Sequence, residues 1–160
     1  MRDGKLTLNV LCKKKSFSRY FAPLLSITNT ASYSFFAKKL TRLTEGKTCP
    51  PVPPVNITTK IYPGFPTDMQ PQWISLMAVC EGVSRVKDTV YFDRFSHIPE
   101  LIRMGADITL YKNVATVQGV KNLKGANVMA GDLRAGAALV LAALSAQENT
   151  LVSRIYHIDR

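Results

Sequence analysis

The pattern of apolar and polar residues divides the stretch from residue 50 to residue 160 into alternating strands and helices. Val55 to Ile61 alternates apolar and polar side chains, which predicts a half-buried strand. A helix is predicted over about Met69 to Glu81, ending at Gly82. The same reasoning predicts strands over 84–90, 107–111, 114–120, 128–130 and 151–156, with helices over 96–104 and from 131 to about 146. This order is typical of an α/β fold.

The start of the first predicted helix is the most informative local feature. Two prolines and a glycine between residues 62 and 66 predict a rigid, irregular turn. Thr67 or Asp68 can then cap the helix, because a short oxygen side chain accepts its first free backbone N–H groups. For Asp68, local pattern favours capping, and the alternative is acid–base work on a ligand above the helix end.

The chain contains an internal repeat of about 65 residues. Asp68 heads the first apolar helix and Asp132 heads the second, and each helix leads through a strand towards a loop arginine, Arg94 and Arg160. The second round stops after its helix and strand, which predicts one full repeat and part of another. The helix from residue 133 to 146 is apolar nearly all round, which predicts burial on all sides.

Five charged residues are the candidates for chemistry: Asp68, Arg94, Asp132, Arg134 and Arg160. They occupy helix starts and strand ends of a repeated unit, and such positions cluster on one rim. Two carboxylates with several guanidiniums suit a substrate that carries phosphate or carboxylate groups and a hydroxyl to be deprotonated. The alternative for the arginines is ion pairing with neighbouring acids. Asp132 and Arg134 are too close in sequence to face each other on a helix.

The net charge of +10 is concentrated near the N-terminus, since residues 1–49 contain only two acids, Asp3 and Glu45. We predict a basic, poorly ordered or transit-like segment over 1–49, with a short amphipathic helix over 35–43, and a separate domain over 50–160. The proline-rich stretch 49–54 marks the boundary. A nucleic-acid-binding arm is the less favoured alternative, because the segment lacks an ordered basic–aromatic motif.

Metal and membrane sites are not expected. The three cysteines form no C-x-x-C pair, and His97 and His157 lie far apart without a partner at ligand spacing. The longest run of small apolar residues, 135–146, is too short to span a bilayer. We therefore predict no metal, no cofactor and no membrane partner.

Several ordered stretches of sequence resemble the UDP-N-acetylglucosamine 1-carboxyvinyltransferase family, the enolpyruvyl transferases of peptidoglycan synthesis. These are PGFPTDMQ at 63–70, RF at 94–95, HIPEL at 97–101, RMGA at 103–106, DLRA at 132–135 and RIYHIDR at 154–160. The resemblance covers about residues 52–160. It implies an inside-out α/β barrel of repeated βαβαββ units, with helices inside and sheets outside, which is incomplete here.

The resemblance also implies a reaction. Family members transfer enolpyruvyl from phosphoenolpyruvate to the 3′-hydroxyl of UDP-N-acetylglucosamine and release phosphate, without a cofactor. Asp68 matches the family carboxylate beside that hydroxyl, and Val90 matches a residue that lines the UDP-sugar site. Arg160 matches an arginine that engages phosphoenolpyruvate. Asp132 and Arg134 match positions near the reacting centre, and Arg94 is a further substrate-binding candidate.

The chain departs from the family pattern in ways that bear on activity. Gly131 and Gly136 replace the usual Thr and Ser, and the family's Lys-Asn pair and reactive loop cysteine have no match. Cys12 and Cys49 lack the family context. We therefore predict a fragment that is inactive alone, with the missing domain on a longer chain. The alternative function is a non-catalytic UDP-sugar binder. The expected location is the cytoplasm, or a plastid if residues 1–49 are a transit peptide.

Overall fold

The structure, a computed structural model, describes residues 5–8 and 53–157. The predicted helix over 35–43 and most of the predicted N-terminal segment lie outside the described residues. The strands are Lys5–Leu8 (β1), Ile57–Thr58 (β2), Val83–Lys87 (β3), Asp107–Tyr111 (β4), Val114–Gln118 (β5), Asn127–Met129 (β6) and Thr150–Ser153 (β7). The helices are Gln70–Met77 (α1), Ile98–Arg103 (α2) and Leu133–Ser145 (α3), with 3-10 turns at Thr67–Met69 and Ile155–His157.

Two sheets carry the predicted repeat. The first has the strand order β2-β3-β5-β4, in which β2 and β3 are parallel and β5 is antiparallel to both its neighbours. In the second, β6 and β7 are parallel. A helix joins each parallel pair, giving β2–α1–β3 and β6–α3–β7. With α2 and the β4–β5 hairpin the first unit is a complete βαβαββ repeat, so the prediction of one full repeat and part of another is confirmed.

Strand β1 was not predicted from the sequence. It pairs antiparallel with β7, in a register that sets Leu6 opposite Val152. The second sheet therefore has the order β1-β7-β6. Beside β7, β1 takes the place that β5 takes beside β3, so both parallel pairs are extended by an antiparallel strand.

The core lies between the helices and one face of each sheet. Ile74 and Met77 of α1 and Leu139 of α3 are fully buried, as are Val86 of β3 and Val117 of β5. Along β3, buried and exposed residues alternate, so its other face meets solvent. Helix α3 is buried over most of its length, from Ala135 to Ala143, as its apolar sequence predicted, but its first residue, Leu133, is exposed. Removing this apolar surface from water is the main stabilising contribution to the fold.

Helix α1 ends four residues earlier than predicted, at Met77. In a helix that continued to Gly82, the carbonyl of Ala78 would accept from the Gly82 N–H, but it accepts instead from the backbone N–H of Val120 at 2.8 Å. The N–H of Gly119 similarly donates to the carbonyl of Gly82 at 2.8 Å. The chain leaving β5 therefore takes a backbone acceptor that a helix through Gly82 would use.

Four strands, β2, β3, β5 and β7, are also shorter than predicted, and three of them end for a clear local reason. Strand β2 covers only Ile57–Thr58, because the chain turns back and the N–H of Lys60 donates to the carbonyl of Phe65 at 2.9 Å. Strand β3 stops before Asp88, whose side chain accepts hydrogen bonds from the backbone N–H groups of Val90 and Tyr91. Strand β7 stops before Arg154, which has a left-handed φ of 59°.

Candidate functional site

Asp68 does not cap the helix that follows it, so the capping prediction for Thr67 or Asp68 is wrong. The N-cap residues are Pro66 for the 3-10 turn and Met69 for α1, and in neither case does a capping side chain accept a hydrogen bond from the backbone of the first turn. Both candidate side chains have ionic partners elsewhere. Thr67 Oγ1 donates to Asp88 Oδ2 at 2.7 Å, and Asp68 Oδ1 accepts from two arginines. For Thr67, a hydrogen bond to an ionised carboxylate is about twice as strong as the neutral cap it would otherwise make, and Asp68 gains two charged donors.

The Asp68 cluster consists of Asp68, Arg94 and Arg134. Arg94 Nη1 lies 2.8 Å and Arg134 Nε lies 2.6 Å from Asp68 Oδ1. The three residues come from the 3-10 turn before α1, the loop after β3 and the first turn of α3, so both repeats contribute. The structure thus realises the ion-pairing alternative for both arginines. Two guanidiniums against one carboxylate leave a net positive charge, which favours an anionic ligand.

Within the Asp68 cluster, the carboxylate is exposed to solvent and the Arg94 guanidinium is largely buried. The Asp68 side chain is 60% exposed, whereas that of Arg94 is 16% exposed. Arg94 also lies 4.1 Å from the ring centre of Tyr91, a cation–π contact that holds the guanidinium from its other side. Both arginines bond Oδ1, and among the described residues no hydrogen bond reaches Oδ2. That oxygen is the one positioned to accept a proton or a hydrogen bond from a ligand.

Asp132 is a structural cap of α3. Its Oδ1 accepts from the backbone N–H groups of Arg134 at 2.7 Å and Ala135 at 2.9 Å. The Asp132 carboxylate therefore anchors the backbone of the turn that carries Arg134, while the Arg134 side chain turns away to Asp68. The predicted Asp-headed helix is present, and Asp132 supports the Asp68 cluster by fixing its third member.

Sequence reasoning missed Asp88, a fully buried carboxylate next to Val90. Asp88 Oδ1 accepts from the Thr59 hydroxyl at 2.7 Å and from the backbone N–H groups of Val90 and Tyr91, both at 2.9 Å. Burial raises the pKa of Asp88, but hydrogen bonds from Thr67, the Tyr91 amide, Thr59 and the Val90 amide together hold it below its ordinary value. The available signal was an aspartate inside the predicted strand 84–90, because aspartate is depleted in strands and favours turns.

Val90, the predicted sugar-lining residue, is half-buried in this Asp88-anchored loop. The loop also carries Tyr91 and Arg94, so Val90 shares a short segment with one member of the Asp68 cluster. Arg160, the remaining candidate, lies outside the described residues. Within the described residues, no group of three His, Cys, Asp or Glu side chains could hold a metal ion.

His97 is a buried histidine beside the site. It is 1% exposed, its ring stacks on Phe95 at 6.5 Å, and its Nε2 has no hydrogen-bond partner. Burial lowers its pKa to about 4, and the negative charge of Asp132 opposes that shift only in part. The imidazole is therefore neutral at pH 7.

The comparisons with known proteins agree with this architecture. The sequence model of EPSP synthase (3-phosphoshikimate 1-carboxyvinyltransferase) matches residues 25–160. The chain belongs to the EPSP synthase family of enolpyruvyl transferases. Its membership accounts for the repeated βαβαββ unit with interior helices and exterior sheets, which is present here as an incomplete domain.

The matches to curated relatives are more specific than the match to the family model. The chain is 59% identical over 106 residues to the UDP-N-acetylglucosamine 1-carboxyvinyltransferase of Thermodesulfovibrio yellowstonii, covering 66% of this chain and 26% of the relative. Identity to the enzyme of the same name from Geobacter metallireducens is 57% over 106 residues, covering 66% and 25%. The resemblance inferred from the sequence is thereby confirmed. The chain spans about a quarter of the length of these relatives.

Solved structures show the same fold. The enolpyruvyl transferase NikO from Streptomyces tendae matches with a TM-score of 0.63 and 31% identity, covering 70% of this chain and 26% of that protein. EPSP synthase from Acinetobacter baumannii matches with a TM-score of 0.50 and 17% identity, covering 55% and 22%, and supports the fold alone. Within the described residues, no helix is long and apolar enough to cross a bilayer.

Proposed function

We propose that this chain carries the sugar-facing part of an enolpyruvyl transferase site, which acts on UDP-N-acetylglucosamine and phosphoenolpyruvate. The observation that carries the proposal is the Asp68 cluster. An exposed carboxylate is fixed through Oδ1 by two arginines, 2.8 and 2.6 Å away, on a segment that matches relatives of that name. By itself, the chain binds the UDP-sugar weakly and does not turn it over.

Asp68 acts in this proposal as the group that takes the proton of the 3′-hydroxyl. The hydroxyl oxygen then forms a bond to C2 of phosphoenolpyruvate while C3 takes up a proton, which gives a tetrahedral adduct. Loss of a proton from C3 re-forms the C2–C3 double bond as the bond from C2 to the phosphate oxygen breaks, and inorganic phosphate leaves. Arg94 and Arg134 orient the carboxylate, so that Oδ2 faces the hydroxyl. Positioning of this kind lowers the barrier because the reacting atoms are held close before the chemical step.

The remaining candidates have supporting roles. Val90 lines the sugar site from the loop beside Arg94, Asp132 fixes the backbone of Arg134, and Arg160 contacts phosphoenolpyruvate. The cytoplasm is the proposed location, or a plastid if residues 1–49 are a transit peptide, since both substrates are polar metabolites. Residues 50–160 constitute the transferase portion, and the rest of the site belongs to a longer chain.

Ligand-observed NMR with UDP-N-acetylglucosamine and with UDP tests the proposal. We expect wild-type binding of the UDP-sugar on the order of millimolar, or about 4 kcal/mol. Asp68→Ala frees two arginines, which strengthens attraction for the diphosphate of both ligands equally. The ratio of the affinity for UDP-N-acetylglucosamine to the affinity for UDP therefore reports the contribution of the sugar alone. We expect that ratio to fall about tenfold, since a hydrogen bond to a charged group contributes roughly 1.5–3 kcal/mol.

Two control variants make the result specific. Asp107→Ala removes an exposed carboxylate from β4, the outer strand of the first sheet, and should leave the ratio unchanged. Arg160→Ala should change UDP-sugar binding little, because Arg160 is assigned to the other substrate. The proposal is overturned if the wild type does not bind, or if Asp68→Ala and the wild type give the same ratio.

A further inference from the structure

A chain of hydrogen bonds links buried Asp88 to the exposed Asp68 cluster. Thr67 is the intermediate: its Oγ1 donates to Asp88 Oδ2 at 2.7 Å and lies 3.2 Å from Arg94 Nη1. The same Nη1 bonds Asp68 Oδ1 at 2.8 Å. The buried carboxylate thus reaches the exposed one through one hydroxyl and one guanidinium.

The direction of each hydrogen bond in this chain is fixed by chemistry. An ionised carboxylate only accepts hydrogen bonds, and a guanidinium only donates them. The single proton of the Thr67 hydroxyl therefore points to Asp88, and its oxygen lone pairs accept from Arg94. Had the hydroxyl proton pointed at Arg94, two donors would face each other, and the guanidinium would lose this contact.

Asp88 itself cannot shift to relax this arrangement. Its Oδ1 is held by Thr59 and by two backbone amides. Its own N–H donates to the carbonyl of Asn113 at 2.9 Å, and its carbonyl accepts from Asn113 Nδ2 at 2.7 Å. The end of β2, the loop after β3 and the β4–β5 turn all converge on this one residue, so the Thr67 hydroxyl meets a rigid acceptor.

We propose that Asp88 is a positioning residue, whose carboxylate holds the Thr67 hydroxyl as an acceptor and so seats the Arg94 guanidinium on Asp68. The proposal builds on the proposed function, because seating Arg94 matters to catalysis only if Asp68 faces the substrate. The positioning itself is a property of the ligand-free chain. It can therefore be measured without any substrate.

Asp88→Asn is the sharpest variant. Its side-chain oxygen can keep the three hydrogen bonds to Oδ1, while its NH₂ group replaces Oδ2 and faces Thr67 as a donor. The hydrogen bonds from Thr59 and the two backbone amides therefore survive, and only the direction of the hydrogen bond between residue 88 and Thr67 is reversed. Thr67→Val cuts the same link from the other end, and Thr67→Ser restores the hydroxyl. Thr59→Val is the matched control, because it removes a hydroxyl from the same carboxylate on the side away from Arg94.

The measurement is the rate of rotation about the Nε–Cζ bond of Arg94, obtained by NMR of the isotope-labelled full chain without ligand. We expect Asp88→Asn and Thr67→Val to raise this rate severalfold, and Thr67→Ser and Thr59→Val to keep the wild-type rate. Arg103, which pairs with Glu100 at 3.2 Å on α2, is an internal reference whose rate should not change.

The outcomes separate this inference from the proposed function. An unchanged Arg94 rate in Thr67→Val, or an equal rise in Thr59→Val, overturns the positioning role, whether or not the UDP-sugar binds. Failure of the wild type to bind the UDP-sugar contradicts the proposed function alone. If Asp88→Asn does not fold, Thr67→Val and Thr67→Ser decide the matter between them.

Discussion

At the scale of single residues, partners determine what each charged side chain does. Asp68 and Asp132 occupy equivalent places in the two repeats, yet Asp132 caps its helix and Asp68 pairs with two arginines. Their surroundings explain the difference, because Asp68 has guanidiniums within reach and Asp132 has the free amides of α3. Sequence pattern alone could not assign the two roles.

His97 provides a prediction about pH at this scale. Its pKa is 6.5 in a model peptide and about 4 in the fold, so the unfolded chain takes up a proton first as the pH falls. Stability due to neutral His97 is fully present above pH 6.5 and is lost between pH 6.5 and about 4. Between pH 7 and pH 5, we expect the free energy of unfolding to fall by about 2 kcal/mol from this residue.

Urea denaturation at a series of pH values measures this loss. His97→Gln cannot take up a proton in this range, so its stability should change less between pH 7 and pH 5 than that of the wild type. His157→Gln changes the other histidine of the sequence. It shows how much of the pH dependence of the free energy of unfolding comes from His157 instead of His97. Parallel curves for His97→Gln and the wild type would show that His97 is not the titrating group.

At the scale of elements, tertiary hydrogen bonds make helix α1 shorter than the local sequence pattern predicts. The backbone near Ala78 bonds to the chain leaving β5, and α1 ends there instead of at Glu81. Helix α3, in contrast, keeps almost its predicted length, because Asp132 caps its start and most of its apolar residues are buried. Strong local signals that agree with the tertiary environment therefore gave accurate bounds.

The α3 cap leads to a stability prediction. Asp132→Ala leaves the N–H groups of Arg134 and Ala135 without their side-chain acceptor, and we expect a loss of about 1 kcal/mol in the free energy of unfolding. Asp132→Asn is the matched control, because asparagine caps helices about as well as aspartate. Chemical denaturation at pH 7 measures both variants, and equal losses in the two would mean that charge rather than capping is the cause.

At the scale of the whole molecule, the chain holds one repeat and part of a second. Both parallel strand pairs are extended by an antiparallel strand, but β5 follows within its own repeat, whereas β1 comes from the other end of the chain. Both repeats contribute to the Asp68 cluster. The chain spans about a quarter of the length of the relatives it matches, so the Asp68 cluster is proposed here as one part of a larger site.

The partial site predicts a lack of turnover. The resemblance implies that the family's Lys-Asn pair and loop cysteine have no counterpart in this sequence, which leaves few groups to bind and protonate phosphoenolpyruvate. We expect the purified chain to release no phosphate above background from phosphoenolpyruvate and UDP-N-acetylglucosamine, in a colorimetric phosphate assay. Turnover that tracks the purified protein and disappears in Asp68→Asn would show that the chain is sufficient by itself.

The sequence by itself determined the α/β class, the repeat, the βαβαββ order and the family, because periodic burial and ordered motifs are local properties of the chain. Only the tertiary structure decided that Asp68 pairs with Arg94 and Arg134 instead of capping α1, that buried Asp88 organises the loop beside them, and that β1 pairs with β7. Each of these joins residues far apart in sequence. Local pattern cannot specify such contacts, since they depend on how packed elements bring distant side chains and strand edges within hydrogen-bonding distance.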